Sequence, residues 1–229
     1  MIRLRRDAVD SPSSRPPLRL KYVEAVLSIG FALAFIVWTR LSAPGPLAPN
    51  ADPSSSGGPF GLDLLLPAPV AYPRSAAGQL AEAFAILTHP LIVLAVTATW
   101  VVYAYTGRMR RLSVSLAIAA IGIPVQFLIA LHLARPTPGA TFTDSIAAFA
   151  HAYPNAHVTA MTLASWVLVT LARAHHRSAM VAAGTVLGYA AVVMTAVSQW
   201  YMGLATLSDL IGGFLLGAAF ANLALWVGG

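Results

Sequence analysis

The stretch SQWYMGLATLSD, residues 198–209, separates two long apolar runs near the end of the chain. The runs on either side cover residues 180–197 and 210–227, and each approaches the roughly 20 residues that an α-helix needs to cross a bilayer. The stretch itself carries serine, glutamine and aspartate, so polar groups lie at the border of both runs. This pattern predicts two membrane helices joined by a short polar connection.

Four further apolar runs precede these two, at residues 22–41, 84–105, 113–133 and 158–172. Of the 229 residues, 58% are hydrophobic and only 10% are charged, and the mean hydropathy is +0.73. A soluble domain carries about 25% charged residues, so a bilayer is the expected solvent of this chain. The sequence therefore predicts an all-α, polytopic membrane protein with a bundle of six transmembrane helices.

The positive charges predict the orientation of this bundle. Eleven of the fourteen Lys and Arg residues lie before the first run, between the second and third, or between the fourth and fifth. Segments rich in Lys and Arg stay in the cytoplasm. We therefore expect a protein of the cytoplasmic (plasma) membrane with both termini in the cytoplasm. The net charge of +6 is explained by this orientation, so no nucleic-acid partner is expected.

The sequence divides into a short tail and a membrane domain. Residues 1–21 are polar and contain proline, which predicts a disordered cytoplasmic segment. Residues 22–229 form the membrane domain, in which residues of about 42–75 are rich in Pro, Gly and Ser and predict an irregular outer loop. The chain has no cysteine, and its histidines lack the close spacing of a metal site. No metal and no cofactor are therefore expected.

Ionisable residues that could take part in catalysis or ligand binding concentrate at the predicted outer ends of the runs. They are Glu82, His89, His132, Arg135, Asp144, His151, His157 and Asp209. Placing an ionisable group in or near a bilayer costs free energy, so such residues often mark functional sites. For several of these residues a structural role is an alternative. His89 precedes Pro90 and can bond a freed carbonyl, and Asp144 can cap a helix. His157 and Asp209 lie inside longer polar motifs, which favours a functional role for both.

These motifs resemble the signature segments of the type 2 phosphatidic acid phosphatase superfamily. Residues 153–157, YPNAH, resemble its second segment, PSGH, and residues 198–209 resemble its third, SRxxxxxHxxxD. Arg135-Pro136 resembles the end of its first segment, KxxxxxxRP. The resemblance covers residues of about 135–217. It implies the helical bundle of that family, with a phosphatase-like core at about 84–227.

The resemblance also implies a role for each matching residue. His157 matches the general acid that protonates the leaving oxygen, and Asp209 matches the carboxylate that orients the nucleophilic histidine. Arg135 matches a phosphate-binding cation. Asn155 and Gln199 stand at motif positions from which their amides could also donate hydrogen bonds to phosphate, more weakly than a charged donor. Together these residues predict a lipid-phosphate site on the outer face of the membrane.

The chain departs from the family pattern at five motif positions, two of which are Asn155 and Ala156 in place of the Ser and Gly of the second segment. Ala205 replaces the histidine that attacks phosphorus, Gln199 replaces an arginine and Leu128 replaces a lysine.

An alanine cannot be a nucleophile, and His151, six residues before His157, is the nearest substitute in sequence. His132 and His89 are further possibilities, and His157 could instead act as a base for a water molecule.

Two functions follow from these matches and departures. The first is a divergent hydrolase acting on a phospholipid or polyprenyl phosphate. The second is a catalytically inactive lipid-headgroup binder or assembly partner with the same fold. A small transporter is the generic alternative for six spans, but the polar residues lie near one face rather than at the bilayer midplane. In the first two cases the partner is a membrane lipid carrying phosphate, and no motif identifies a protein partner.

Overall fold

A computed structural model describes residues 18–42, 63, 66, 74–133, 135, 145, 149, 151–174 and 178–228. Seven α-helices make up nearly all of this part of the chain. They are α1 (Leu18–Ser42), α2 (Ala76–Leu87), α3 (Pro90–Thr106), α4 (Arg110–Leu133), α5 (Ala156–Ala174), α6 (Ser178–Tyr201) and α7 (Leu207–Gly228). The helix α7 packs against α1, α4 and α5, which places it at the centre of the bundle.

Five apolar segments in the described part of the chain are long enough to cross a membrane. They are Tyr22–Ser42, Ala76–Thr106, Arg110–Leu133, Ala179–Tyr201 and Leu207–Gly228. The predicted fourth run, residues 158–172, lies in α5, whose apolar part, Ala156–Val169, is shorter. The prediction of an all-helical integral membrane protein is confirmed, while the count of six spanning helices stays a prediction. Residues 1–17 and most of the predicted outer loop lie outside the described residues.

The predicted second run, residues 84–105, consists of two helices rather than one. The helix α2 ends at Leu87 and α3 begins at Pro90. Pro90 has no N–H to donate, and its ring disfavours helical backbone at the preceding residue, so the helix is interrupted before it. His89 takes the N-cap position of α3, where its Nδ1 accepts a hydrogen bond from the Leu91 N–H (3.3 Å).

Backbone and amide contacts gather four helix termini at one end of the bundle. The Ala152 N–H donates to the Arg135 carbonyl (3.0 Å), and the Asn155 N–H donates to the Asp209 carbonyl (3.1 Å). The Asn155 Nδ2 donates to the Gln199 Oε1 (3.4 Å). These contacts join the end of α4, the start of α5, the end of α6 and the start of α7. We call this region the Arg135 end, and the charge distribution predicts that it faces outward.

Glycines let α5 and α7 approach closely at this end. A Cβ atom on Gly213 would lie 2.6 Å from the Asn155 carbonyl oxygen, and one on Gly217 would lie 2.7 Å from the Thr162 Cβ. The Thr159 hydroxyl also donates to the Gly213 carbonyl (3.1 Å). Small residues of this kind allow the backbones of membrane helices to pack against each other. The packing holds the start of α5 in a fixed position against α7.

Candidate functional site

The guanidinium of Arg135 pairs with two carboxylates. Its Nη2 lies 3.0 Å from the Asp63 Oδ2, and its Nη1 lies 3.2 Å from the Asp209 Oδ1. The second distance is that of an ion pair, but the Asp209 Oδ1 lacks hydrogen-bond geometry. The side chains are 12% exposed for Arg135, 8% for Asp63 and 0% for Asp209. Because all three are largely withdrawn from water, the charges interact more strongly than a surface pair.

The carboxylate of Asp63 lies at the N-terminus of α7. Its Oδ1 accepts a hydrogen bond from the Ser208 N–H (2.8 Å), and its Oδ2 accepts one from the Ser208 hydroxyl (2.7 Å). Free N–H groups and the helix dipole favour a negative charge at this position. Sequence reasoning did not select Asp63 as a site residue. The signal that points to it is a lone carboxylate inside the apolar stretch GLDLLL, residues 61–66.

Asp209 has a local structural role in addition to its ion pair. Its Oδ2 accepts hydrogen bonds from the Thr206 N–H (2.7 Å) and from the Thr206 hydroxyl (2.8 Å). Thr206 directly precedes α7, and Asp209 is the third residue of that helix. This is the carboxylate half of a capping box, in which an acidic side chain returns to the residue that precedes the helix, while the Asp209 N–H donates to the Thr206 carbonyl (3.1 Å). The role of Asp209 as the carboxylate that orients a histidine stays a prediction.

Ala205 lies in an apolar cluster. It is 0% exposed and packs with Val158, Val192 and Leu210. Met161, Trp200 and Phe214 complete the surroundings of this cluster. The position at which the family resemblance places a nucleophile is thus part of a buried hydrophobic cluster.

His157 belongs to a second group of side chains at the Arg135 end. Its ring centroid lies 5.6 Å from that of His89 and 5.3 Å from that of Phe149. The imidazole is 0% exposed, and neither ring nitrogen has a hydrogen-bond partner of good geometry among the described residues, although the Ala85 backbone approaches the ring. The structure therefore brings Arg135 and Asp209 into contact but gives His157 no hydrogen bond to Asp209.

The amides of Asn155 and Gln199 are buried. The Asn155 Oδ1 accepts a hydrogen bond from the Val158 N–H (2.9 Å), so Asn155 caps the start of α5. Its Nδ2 donates to the Gln199 Oε1 (3.4 Å). The Gln199 Nε2 has no partner among the described residues and is a free donor at the Arg135 end. Their assignment as phosphate-binding residues stays a prediction.

A buried glutamine of α4 lies at this end, and the sequence motif missed it. The Gln126 side chain is 1% exposed, and its Nε2 donates to the Pro154 carbonyl (2.7 Å). Leu128, which stands at the lysine position of the motif, is 65% exposed. The two residues lie on different faces of α4, so the inward polar position is 126 rather than 128.

Two further residues of the segment before α5 are partly or fully enclosed. His151, the substitute nucleophile suggested by the sequence, is half-buried, and its Nδ1 has no hydrogen-bond partner in the described part of the chain. The Tyr153 hydroxyl lies 2.7 Å from the Thr39 Oγ1 of α1. Burial raises the pKa of Tyr153 to about 12, so the phenol stays neutral at physiological pH.

Among the described residues, no three His, Cys, Asp or Glu side chains form a group that could hold a metal ion.

The arrangement of these helices is similar to that of a solved membrane enzyme. This enzyme is a transmembrane PAP2-type phosphatidylglycerolphosphate phosphatase from Bacillus subtilis, with a TM-score of 0.63. The chain has a PAP2-like phosphatase fold. The similarity covers 87% of this chain and 94% of the enzyme at 14% sequence identity, so it is a likeness of fold alone. No family model and no curated protein sequence matches the chain.

A cavity of about 210 Å³ lies between α1, α5, α6 and α7. Hydroxyl and amide groups of Thr162, Ser165 and Asn222 line it together with Phe31 and Phe214. In α7 its lining runs from Phe214, five residues after Asp209, to Asn222, so it begins about 8 Å along the helix axis from Asp209 and extends toward the other end of the bundle.

Proposed function

We propose that this protein binds the phosphate-bearing headgroup of a membrane lipid at the Arg135 end and does not hydrolyse it. The site would face the outside of the cytoplasmic membrane, with both chain termini in the cytoplasm. The observation that carries this proposal is a concentration of buried polar atoms without hydrogen-bond partners at this one end of a PAP2-like fold. They are the Gln126 Oε1, both ring nitrogens of His157 and the Gln199 Nε2, of which the Gln199 amide and one His157 nitrogen can donate a hydrogen bond to phosphate.

Polar atoms in a protein interior nearly always have partners, because an unsatisfied one costs about 1–3 kcal/mol. Their concentration near Arg135 therefore favours a polar ligand. A phosphate headgroup fits the donors, since Arg135, Ser208 and Gln199 offer a guanidinium, a hydroxyl with a backbone N–H, and an amide. The structurally similar enzyme is named for a substrate that is itself a lipid phosphate. This likeness adds support for the class of ligand.

The surroundings of Ala205 favour binding without hydrolysis. Transfer of a phosphoryl group to the protein needs a nucleophile activated by a neighbouring base. At Ala205 the chain offers a methyl group among Val158, Val192 and Leu210. The transferring group would also need several positive charges to stabilise its oxygens, and Arg135 is already paired with two carboxylates. Both features make turnover unfavourable.

Substitution of Arg135 by lysine tests the binding site, because it keeps the positive charge but removes the two parallel N–H donors of the guanidinium. We expect the affinity for phosphatidic acid in phosphatidylcholine nanodiscs to fall about tenfold, since a hydrogen bond to a charged group contributes about 1.5–3 kcal/mol. The exposed Arg74 offers a matched control, and Arg74→Lys should leave the affinity unchanged. Equal affinities for wild type and Arg135→Lys would contradict the proposed site.

Reporter fusions test the orientation. The Lys and Arg distribution predicts that a reporter placed after Arg111 or Arg177 is active in the cytoplasm. A reporter placed near Ser55 or Ala147 should be active outside. The opposite pattern would move the Arg135 end to the cytoplasmic side and would contradict an outer-face site.

One observation favours a second candidate, a divergent lipid phosphate phosphatase. The ring of His89 lies 5.6 Å from that of His157, so a second imidazole stands beside the predicted general acid. Histidine is both a nucleophile and an acid–base group in phosphoryl transfer. If this pair carried the reaction, phosphate release would be lost in both His89→Ala and His157→Ala.

A further inference from the structure

We propose that the carboxylate of Asp63 occupies the position of the lipid phosphate, so that the headgroup binds only in exchange for it. This inference rests on the proposed function and adds to it the means by which the chain limits its own affinity. Asp63 is a residue of the segment before α2 and is 72 positions away from Arg135 in sequence. Its contacts therefore bring a distant anion to the predicted phosphate-binding cation.

The carboxylate uses the donors that an oxyanion would need. Its two oxygens accept hydrogen bonds from the Arg135 Nη2 (3.0 Å), the Ser208 N–H (2.8 Å) and the Ser208 hydroxyl (2.7 Å). These donors converge on one planar anion at the start of α7. A phosphate monoester presents oxygens at similar spacing and prefers the same combination of guanidinium and helix N-terminus. The two anions cannot occupy these donors together.

The charges of the cluster also oppose an additional anion. With both carboxylates ionised, Arg135, Asp63 and Asp209 carry a net charge of −1. A phosphate headgroup that approached while Asp63 stayed in place would meet this negative charge. Exchange removes one carboxylate from the donors before the phosphate binds, and it leaves Asp209 in its ion pair with Arg135 and its hydrogen bonds with Thr206.

The ligand class follows from the donors. Arg135 and Ser208 recognise the anionic oxygens and make no described contact that would read a larger headgroup. A phosphate monoester, as in phosphatidic acid or a polyprenyl phosphate, therefore fits better than the choline diester of phosphatidylcholine. Free inorganic phosphate shares this chemistry but lacks the lipid chains.

The substitution Asp63→Asn tests the exchange directly. The asparagine keeps nearly the same shape and an acceptor oxygen for the Ser208 N–H, but it removes the competing charge. We expect the purified variant to bind phosphatidic acid in phosphatidylcholine nanodiscs about tenfold more tightly than wild type, which corresponds to about 1.4 kcal/mol. A parallel titration with inorganic phosphate in phosphatidylcholine nanodiscs distinguishes a lipid site from a free-phosphate site.

Two controls keep the result interpretable. Glu82→Gln removes a negative charge from the half-exposed Glu82 of α2, outside the cluster, and should leave the affinity unchanged. Asp63→Ser is a second variant without the charge, and gel filtration establishes that each variant is folded. A tenfold gain in Asp63→Asn or Asp63→Ser, absent in Glu82→Gln, supports the exchange. Equal binding by wild type and both Asp63 variants overturns this inference alone. Absence of binding in all of them overturns the proposed function as well.

Discussion

Arg135→Gln should lower the free energy of unfolding by about 3–5 kcal/mol, because it leaves two buried carboxylates without a cation. Asp209 is fully buried and Asp63 is 8% exposed, so little solvent is available to compensate for the lost guanidinium. The neutral glutamine can donate a hydrogen bond but carries no charge. The measurement is the unfolding of the detergent-solubilised protein, with Arg74→Gln as a control that removes an exposed arginine.

A double substitution separates the ion pair from the loss of side-chain packing. In the Arg135→Gln background, Asp63→Asn should recover part of the lost stability, because it removes one of the two unpaired charges. In the wild-type background the same substitution should destabilise the protein or leave it unchanged. Residues in one charged network show coupling energies of about 0.5–3 kcal/mol. Additive effects of the two substitutions would contradict a direct Arg135–Asp63 pair.

Ala205→His should destabilise the protein without creating phosphatase activity. Ala205 is 0% exposed and belongs to the apolar cluster, so an imidazole must displace neighbouring side chains. Overpacking of a core costs about 1–3 kcal/mol, and an imidazole without hydrogen-bond partners adds a cost of burial. The measurements are thermal unfolding and phosphate release from phosphatidic acid.

Ala77→His is the matched control for this substitution, because Ala77 is exposed in the first turn of α2. Its unfolding should resemble that of wild type. A stable Ala205→His protein that releases phosphate would mean that the site has kept the shape and charge of an active phosphatase. That outcome would contradict the account of Ala205 as part of the hydrophobic core.

The apolar runs were predictable because the bilayer imposes a length and a composition on each spanning helix. Each of the six predicted runs is helical in the structure. The break at His89 was not predicted as an interruption, although Pro90 carries the signal, because the run is apolar on both sides of it. Hydropathy identifies segments that favour a membrane, but it does not detect this break, which arises because Pro90 lacks a backbone N–H.

The site was only partly predictable. The motif spacing connects position 128 with Arg135, seven residues apart, which is about two turns of a continuous helix. The helix α4 ends at Leu133, so Arg135 leaves the face that the spacing predicts, and Leu128 is exposed while Gln126 is buried. The pairing of Arg135 with Asp63 joins residues that are distant in sequence, and no local pattern predicts it. Spacing along one helix thus fails where the helix ends.

The lack of a hydrogen bond between His157 and Asp209 is a further result that the motifs do not predict. Both residues stand at matching positions of the family segments, but Asp209 is engaged by Arg135 and Thr206. His157 lies against His89 and Phe149 instead. The spacing of the two segments therefore does not determine which side chains Asp209 and His157 contact.

The most direct test of binding without hydrolysis is one experiment on the wild-type protein that measures both. Purified protein is added to mixed micelles of phosphatidic acid or a polyprenyl phosphate, and bound lipid and released inorganic phosphate are followed together, with an active lipid phosphatase as positive control. We expect saturable binding and phosphate release no greater than in micelles without protein. Sustained phosphate release that His157→Ala or His89→Ala abolishes would contradict it and would make the protein a divergent phosphatase.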